Sequence, residues 1–488
     1  MLYLSTRGGD PVTSAQAIVR GIALDGGLYV PSALPRLTYA QIRELFPLSY
    51  DKRAARIMAL LLPDFSLGEL EAICAKAYAR FDPEPAPLKV LGNTAVLELF
   101  HGPTMAFKDM ALQVLPYLMR SAAEKTGETR EIAILTATSG DTGKAALEGF
   151  SDVEGTSVTV FYPDGGVSAI QETQMLTSAG KNTCVIAVKG NFDDAQNGVK
   201  ALFLDAEFKK AMAARGKVLS SANSINLGRL VPQVAYYFSA VIDMIKMGMA
   251  DEEHPVAVCV PTGNFGNILA AWYACRMGAP IGKLICASNA NDVLTTFIAS
   301  GRYDRRLPFM KTLSPSMDIL ISSNLERFLW ELGGTKDTIA WMEQLKKDGL
   351  YSLNDDQLAY LRSRFTGGCA DDDVTMKEIG RVWNEYRYVM DPHTAVASAV
   401  LNGLDEAACG CPRLLVSTAS PYKFGEAVCG ALGITAPKGD AFAAADLLNA
   451  HTGLDIPGPF RQLKEARARD RIVVEKEAMG RTILEQLR

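Results

Sequence analysis

Histidine is scarce in this chain, four in 488 residues, and the nine cysteines are scattered and odd in number. Both facts argue against a zinc centre, because Cys409-Gly410-Cys411 has no second cysteine pair and too few imidazoles stand elsewhere to complete a site. No apolar run approaches the roughly 18 residues needed to cross a bilayer, and Met1 to Arg7 lacks the apolar core of a secretion signal. A cytosolic chain with reduced cysteines is therefore expected. The net charge of −5 is mild, and no basic stripe with interleaved aromatics occurs, so neither nucleic acid nor a membrane is an expected partner. Neither a Walker A loop nor the dinucleotide fingerprint is present.

What the chain does contain is apolar mass: 48% of residues are hydrophobic, enough for a large core divided among two or three domains. The first 90 residues read as mainly helical, with apolar residues at helical spacing over Pro11 to Ile22, Ala55 to Leu62 and Leu67 to Ala77, and a short strand after Gly26-Gly27. From Ala95 the texture changes to strands alternating with helices, the pattern of βαβ units in a parallel α/β sheet. Apolar strands are expected at Ala95–Phe100, Ile132–Leu135, Val158–Phe161, Val185–Val188, Val256–Val260, Leu284–Ala287 and Leu414–Thr418. A helix from Asp109 to about Arg120, kinked at Pro116, and a long amphipathic one ending near Met247 are expected between them. The stretch from Arg305 to about Thr366 reads as polar-helical, Gly367 to Asp373 as a surface loop, and the last fifty residues as charged and partly helical.

The chemistry centres on Leu99-Phe100-His101-Gly102-Pro103-Thr104-Met105-Ala106-Phe107-Lys108-Asp109. An apolar strand breaks at Gly102-Pro103 and delivers a lysine to a helix start, where Phe107, Met105 and the positive helix end disfavour the ammonium. A lysine so placed can bond covalently to a carbonyl and shuttle protons. The plainer alternative is a solvated lysine paired with Asp109.

Two glycine-containing loops join a strand to a helix. Gly263-Asn264-Phe265-Gly266-Asn267 could cradle a phosphate with the free amides of a helix start, or be a tight turn with no ligand. Thr138-Ser139-Gly140-Asp141-Thr142-Gly143 offers hydroxyls and amides suited to a carboxylate, although Asp141 could act simply as a helix cap. In Asn223-Ser224-Ile225-Asn226-Leu227-Gly228-Arg229 a guanidinium follows amide side chains, which suits a substrate phosphate, or is a solvent-facing arginine. Ser417-Thr418-Ala419-Ser420 ends the last core strand, where open α/β sheets place ligands, and Thr418 could meet a ring nitrogen. Asp391-Pro392-His393-Thr394 reads best as a capped helix start.

In these segments, together with Tyr3 to Gly8 and Asp25 to Pro31, the chain resembles the threonine synthases with an N-terminal domain. The resemblance implies a pyridoxal-phosphate enzyme of fold type II, like the tryptophan synthase β subunit, with two open, twisted, mostly parallel sheets flanked by helices. It implies domains at 1–90, at 91–128 with 245–488, and at 129–244. Lys108 would carry pyridoxal 5′-phosphate as the catalytic residue, with Gly263, Asn264, Phe265, Gly266, Asn267 and Thr418 around the cofactor. Thr138, Ser139, Asp141, Thr142, Asn223, Asn226 and Arg229 would face the substrate, O-phospho-L-homoserine. The reaction implied is a lyase step giving L-threonine and phosphate in a monomer or homodimer. A same-fold threonine or serine dehydratase or β-replacing synthase would share the lysine without needing a second phosphate site, and a non-catalytic relative or anion-binding module would not need Lys108.

Overall fold

Two larger sheets carry the chain, and their strands run so that the loops at Lys108, Asp141, Asn223, Gly263 and Thr418 all leave carboxyl-terminal strand ends. The structure, a computed structural model, describes residues 1–138, 140–404 and 412–486, without the side chains of 169, 192 and 193. Ser139 and Cys409-Gly410-Cys411 lie outside the described residues. The larger sheet has the order Phe365–Cys369, Ile281–Ser288, Val256–Pro261, Arg413–Ser417, Thr94–Glu98, Leu88–Leu91. All its neighbours are parallel except the last pair. The second sheet is parallel throughout, in the order Ile472–Val474, Thr183–Val188, Thr156–Pro163, Glu131–Ala137, Lys217–Ser220. Its central strand, Thr156–Pro163, is buried along its whole length, as expected where helices cover both faces.

Three sequence readings need correction. The stretch read as a loop from Gly367 opens instead as an edge strand, Phe365–Cys369, paired in parallel with Ile281–Ser288. Its glycines are there for close approach: a Cβ on Gly367 would stand 2.9 Å from Thr295 Cα and one on Gly368 2.5 Å from Val400. The glycine signal that usually marks a loop here admits two covering helices. Pro116 does not kink a helix; the chain forms two, Asp109–Leu112 and Leu115–Thr126, with the proline in the first turn of the second, where its missing N–H costs nothing. Finally, Ile472–Val474 adds to the second sheet, although the sequence placed everything after 245 with the first. Met479 and Ile483 bury against Leu135, Phe161 and Phe208, each contributing about 1.5–3 kcal/mol, which outweighs the charged character of the segment.

The N-terminal region is largely helical as expected, with Ser14–Arg20, Tyr50–Leu61 and Leu67–Tyr78, plus an antiparallel pair Tyr3–Ser5 and Tyr29–Pro31. It is tied to the long helix Leu227–Lys246 through buried Arg53, which donates to Ser239 Oγ and to the Asp243 carboxylate, both at 2.9 Å. That long helix is buried almost all round, and none among the described residues is long and apolar enough to cross a membrane. The seven cysteines among the described residues form no disulfide with one another.

One contact sets the distance between the two loops that matter most. Gly149, in the helix Asp141–Phe150, lies so close to the lysine-bearing segment that a Cβ there would stand 2.0 Å from the Leu112 carbonyl oxygen. Gly149→Ala is expected to destabilise the fold by about 3 kcal/mol, the upper part of the range for overpacking. Urea unfolding of the variant checks this; a loss below about 0.5 kcal/mol, the level of a neutral surface change, would contradict it.

Candidate active site

The segment before Lys108 is strapped to the end of the last core strand. Leu99 N donates to Ser417 O (2.9 Å), Phe107 N to Thr418 O (2.8 Å) and Ser420 N to Met105 O (3.1 Å). Asp109 turns inward and accepts from Thr104 N at 2.7 Å and Thr104 Oγ1 at 2.8 Å, and burial pushes its carboxyl up to about 6. It is therefore not the partner of Lys108, which removes the plainer reading of that lysine. Lys108 itself, its side chain 13% exposed, caps the helix Asp109–Leu112. Its Nζ stands 3.2 Å from Ser316 Oγ and 3.5 Å from Asp141 Oδ2. Burial lowers its proton affinity; Asp141 opposes this, and the nearby charges of Lys423 and Arg229 reinforce it.

Asp141 is where the structure departs furthest from expectation. Its Oδ1 accepts from Lys423 Nζ at 2.6 Å and from Gln171 Nε2 at 3.2 Å, while Oδ2 faces Lys108 and, at 3.4 Å, Ser316 Oγ. Burial alone would raise this carboxyl; Lys423 and then Lys108 outweigh it and hold Asp141 well below the usual range. The residue is thus a fixed anion between two lysines. Lys423 also donates to Thr104 O at 3.1 Å, so the same ammonium holds the lysine-bearing strap. Thr138 Oγ1 accepts the amides of Gly140 and Gly143, each at 2.9 Å, and shapes the loop. Thr142 is half-buried at the helix start.

The other glycine loop is pressed against the segment bearing Ser316. A Cβ on Gly263 would stand 2.6 Å from the Ser316 carbonyl oxygen, so that position admits only glycine. Phe265 adopts φ 60° and sends its ring into the core against Phe365 at 5.7 Å, so it can offer a ligand its backbone alone. Gly266 opens the helix Gly266–Arg276, whose first amides have no partners within the helix. Asn264 is exposed, and its carbonyl accepts from Asn324 N at 3.0 Å. Asn267 is buried; its Oδ1 accepts from the hydroxyls of Tyr236 and Tyr237, leaving Nδ2 buried without a partner. Of the hydroxyls after the last strand, Ser417 Oγ lies 3.0 Å from Thr394 Oγ1 and Ser420 Oγ caps Tyr422 N at 3.4 Å. Thr418 keeps its hydroxyl free among the described residues.

Arg229 is 3% exposed, not solvent-facing. Nη1 donates to Ala222 O at 2.7 Å, Nε has no partner, and no carboxylate among the described residues lies within ion-pair distance. Burial lowers the guanidinium to about 10, an arrangement that an incoming anion would relieve. Asn226 is not a ligand: Nδ2 donates to Ile18 O (3.1 Å) and Ser221 O (2.9 Å), and Oδ1 caps Gly228 N (2.8 Å). Asn223 Oδ1 accepts from Thr136 Oγ1 at 3.3 Å and remains half-buried at the turn.

Three participants were not found from the sequence. Ser316, in the short 3-10 turn Pro315–Met317, touches both Lys108 and Asp141. His393 accepts from Ser316 N at Nε2 (3.2 Å) and lies 2.7 Å from Asp391 Oδ1 through Nδ1, so the ring carries its proton at Nδ1. Asp391 is also the helix cap the sequence suggested, accepting from His393 N at 2.9 Å. Lys423 carried a usable signal, a second lysine three residues after Ser420 at the carboxyl end of a sheet; Ser316 carried none.

A buried, deprotonation-prone lysine, a glycine cradle, an orphaned buried donor on Asn267 and a free hydroxyl at Thr418 together fit a phosphate-bearing aldehyde. The chain matches the model for pyridoxal-phosphate dependent enzymes over residues 89–410, and it belongs to that class. Residues 2–78 match the model of the threonine synthase N terminus. Threonine synthase of Schizosaccharomyces pombe is 38% identical over 466 residues, covering 87% of this chain and 88% of that one. The crystal structure of pyridoxal-phosphate-bound threonine synthase from Brucella melitensis superposes with TM-score 0.88 at 36% identity, covering all of both chains. Human threonine synthase-like 1 is 40% identical over 438 residues, 86% of this chain but 58% of that longer protein. The chain is a member of the threonine synthase family.

Lys423→Met is expected to cost about 3–5 kcal/mol, because Asp141 then keeps a buried charge with only Lys108 against it. Since the folded carboxyl titrates below its unfolded value, its stabilisation is complete above about pH 4 and is lost as the pH falls below that. The gap between native and variant stabilities should therefore narrow on acidification; urea titrations at pH 7 and pH 3.5 measure it.

Proposed function

We propose that this protein converts O-phospho-L-homoserine and water to L-threonine and phosphate, the last step of threonine biosynthesis, with pyridoxal phosphate on Lys108. The observation that carries this reading beyond its family is Arg229: a buried guanidinium without a carboxylate, close enough to bear on the Lys108 proton, is a second anion site. A dehydratase or β-replacing enzyme has no use for one.

When bound, the cofactor supplies an aldehyde for amines and an electron sink for negative charge building at the substrate α and β carbons. Gly263 to Asn267 would hold its phosphate on the amides of a helix start, and the Thr418 hydroxyl would face its ring nitrogen. A neutral hydroxyl there would leave the ring less electron-withdrawing than an aspartate partner, which keeps the ring nitrogen protonated, so more of the proton traffic falls to Lys108. Its Nζ, once free, takes the α proton and moves a proton at the β carbon; burial favours the uncharged amine this requires. Asp141 and Ser316 fix where that amine can swing, which is a matter of placement more than of acid strength. Arg229 holds the departing phosphate with two parallel donors, and the phosphate, near the site of water addition, can itself carry a proton. That the described cysteines form no disulfide with one another suits a reducing compartment, and we assign the cytoplasm.

The direct test is product analysis: holoenzyme given O-phospho-L-homoserine should release threonine and inorganic phosphate in equal amounts, and turnover without phosphate would refute the assignment. Lys108→Ala should abolish that turnover and the visible absorption of the bound cofactor while circular dichroism stays native. Arg229→Ala should weaken substrate binding by about 2–4 kcal/mol, read as a raised KM; an unchanged KM removes Arg229 from this role.

A further inference from the structure

Arg327 is 1% exposed and sits in the first turn of the helix Leu325–Lys347. Its Nε donates to the Tyr29 carbonyl at 2.9 Å, Nη2 to the Ile225 carbonyl at 2.5 Å, and Nη1 to Asn324 Oδ1. All three nitrogens are used, and no carboxylate among the described residues pairs with them. The three acceptors belong to three different parts of the protein. Tyr29 lies in the N-terminal strand Tyr29–Pro31. Ile225 is inside the turn that leads to Arg229. Asn324 gives both its backbone N, at 3.0 Å, and Nδ2, at 3.2 Å, to the carbonyl of Asn264 in the glycine loop.

The preceding residue clasps the same N-terminal segment. Glu326 accepts from Thr6 Oγ1 at 2.6 Å and from Arg7 Nε and Nη2, each at 2.9 Å. From the opposite side, the last carbonyls of the helix Ser14–Arg20 reach the same turn. Ile18 O accepts from Asn226 Nδ2 at 3.1 Å, and Val19 O from Ser220 Oγ at 2.8 Å. The turn bearing Arg229 is thus held directly by the N-terminal helix and, through Arg327, tied to the N-terminal strand.

We propose that Arg327 is a positioning residue for phosphate recognition: it locks the Asn223–Arg229 turn to the N-terminal segment, which thereby becomes part of the substrate site. A planar fork can satisfy three acceptors in fixed directions, whereas an ammonium on a flexible stem cannot hold all three at once. With the fork removed, Ile225 and Tyr29 lose their common tie, and the Arg229 guanidinium loses its fixed place in the cleft. The proposal rests on the assignment of Arg229 to the substrate phosphate.

Native holoenzyme is compared with the Arg327→Met, Arg327→Lys and Arg229→Ala holoenzymes for kcat and KM, competitive inhibition by inorganic phosphate, visible absorption and thermal unfolding. Arg327→Met should raise KM and the phosphate inhibition constant together, by about tenfold or more, as expected of a binding group displaced by a fraction of an ångström to an ångström. Its kcat should change far less and its visible band should persist, with Arg327→Lys falling between it and native. A merely structural role would lower the unfolding temperature and leave the two phosphate-dependent constants alone. Phosphate inhibition unchanged in Arg327→Met but weakened in Arg229→Ala overturns the tie. Inhibition unchanged in both overturns the assignment of Arg229 and the tie with it. If Arg327→Met does not fold, Arg327→Lys is judged by the same criteria.

Discussion

A single carboxylate set between two lysine side chains in a dry cleft organises the centre of this protein. Removing Asp141 from water carries a penalty of several kcal/mol, which Lys423 at 2.6 Å and Lys108 at 3.5 Å offset only while both stay in place. Each partner recruits more structure. Lys423 also holds the Thr104 carbonyl, and so fixes the strap that brings Lys108 forward. Gln171 and Ser316 take the remaining space around the two carboxylate oxygens. Beside Asp141 the cleft holds three basic side chains, Lys108, Lys423 and Arg229. Ligands that bring phosphate suit such a surplus, and ligands without negative charge do not.

The fold explains how residues so far apart in the chain converge. Lys108, Asp141, the Gly263 loop and Thr418 all follow the carboxyl ends of parallel strands, and a twisted open sheet turns those ends toward a common crevice. Two sheets facing one crevice need their spacing fixed. The approach of Gly149 to Leu112 sets it, while the approach of Gly263 to Ser316 seats the Ser316 turn beside Lys108. Neither distance tolerates a single added methyl group. Small residues at these contacts are what let charged side chains reach one another inside.

Lys108 was legible because its surroundings are local: the apolar residues that dry it and the helix start that disfavours its charge lie within a few positions. The glycine loops were legible for the same reason. Ser316 and His393 were not, since their meaning comes from partners 77 to 208 positions away, and a serine in a polar stretch has no local mark; Lys423 carried only the signal of a lysine at the carboxyl end of a sheet, with its partners 282 and 319 positions away. Asn226 misled in the other direction. An amide before a helix and three residues from an arginine reads as a ligand, yet its three hydrogen bonds all go to backbone groups. Gly367 and Gly368 misled because glycine marks a loop in most settings, and only the packing of the neighbouring helices shows that here it makes room.

The sharpest case is a pair of arginines. Asn226 and Arg229 stand at the start of one helix, Asn324 and Arg327 at the start of another, with the same three-residue spacing and the same burial. Sequence pattern cannot separate them. The structure does, by counting acceptors: Arg327 has a partner for every nitrogen, so a ligand would have to displace existing bonds to reach it. Arg229 has one carbonyl and a bare Nε, so an anion entering the cleft adds bonds without breaking any. A saturated guanidinium behaves as architecture and an unsaturated one as a binding group. Arg327 and the turn that carries Arg229 meet at Ile225, so in the proposed role of Arg229 the stiffness of the first would hold the second in a fixed place.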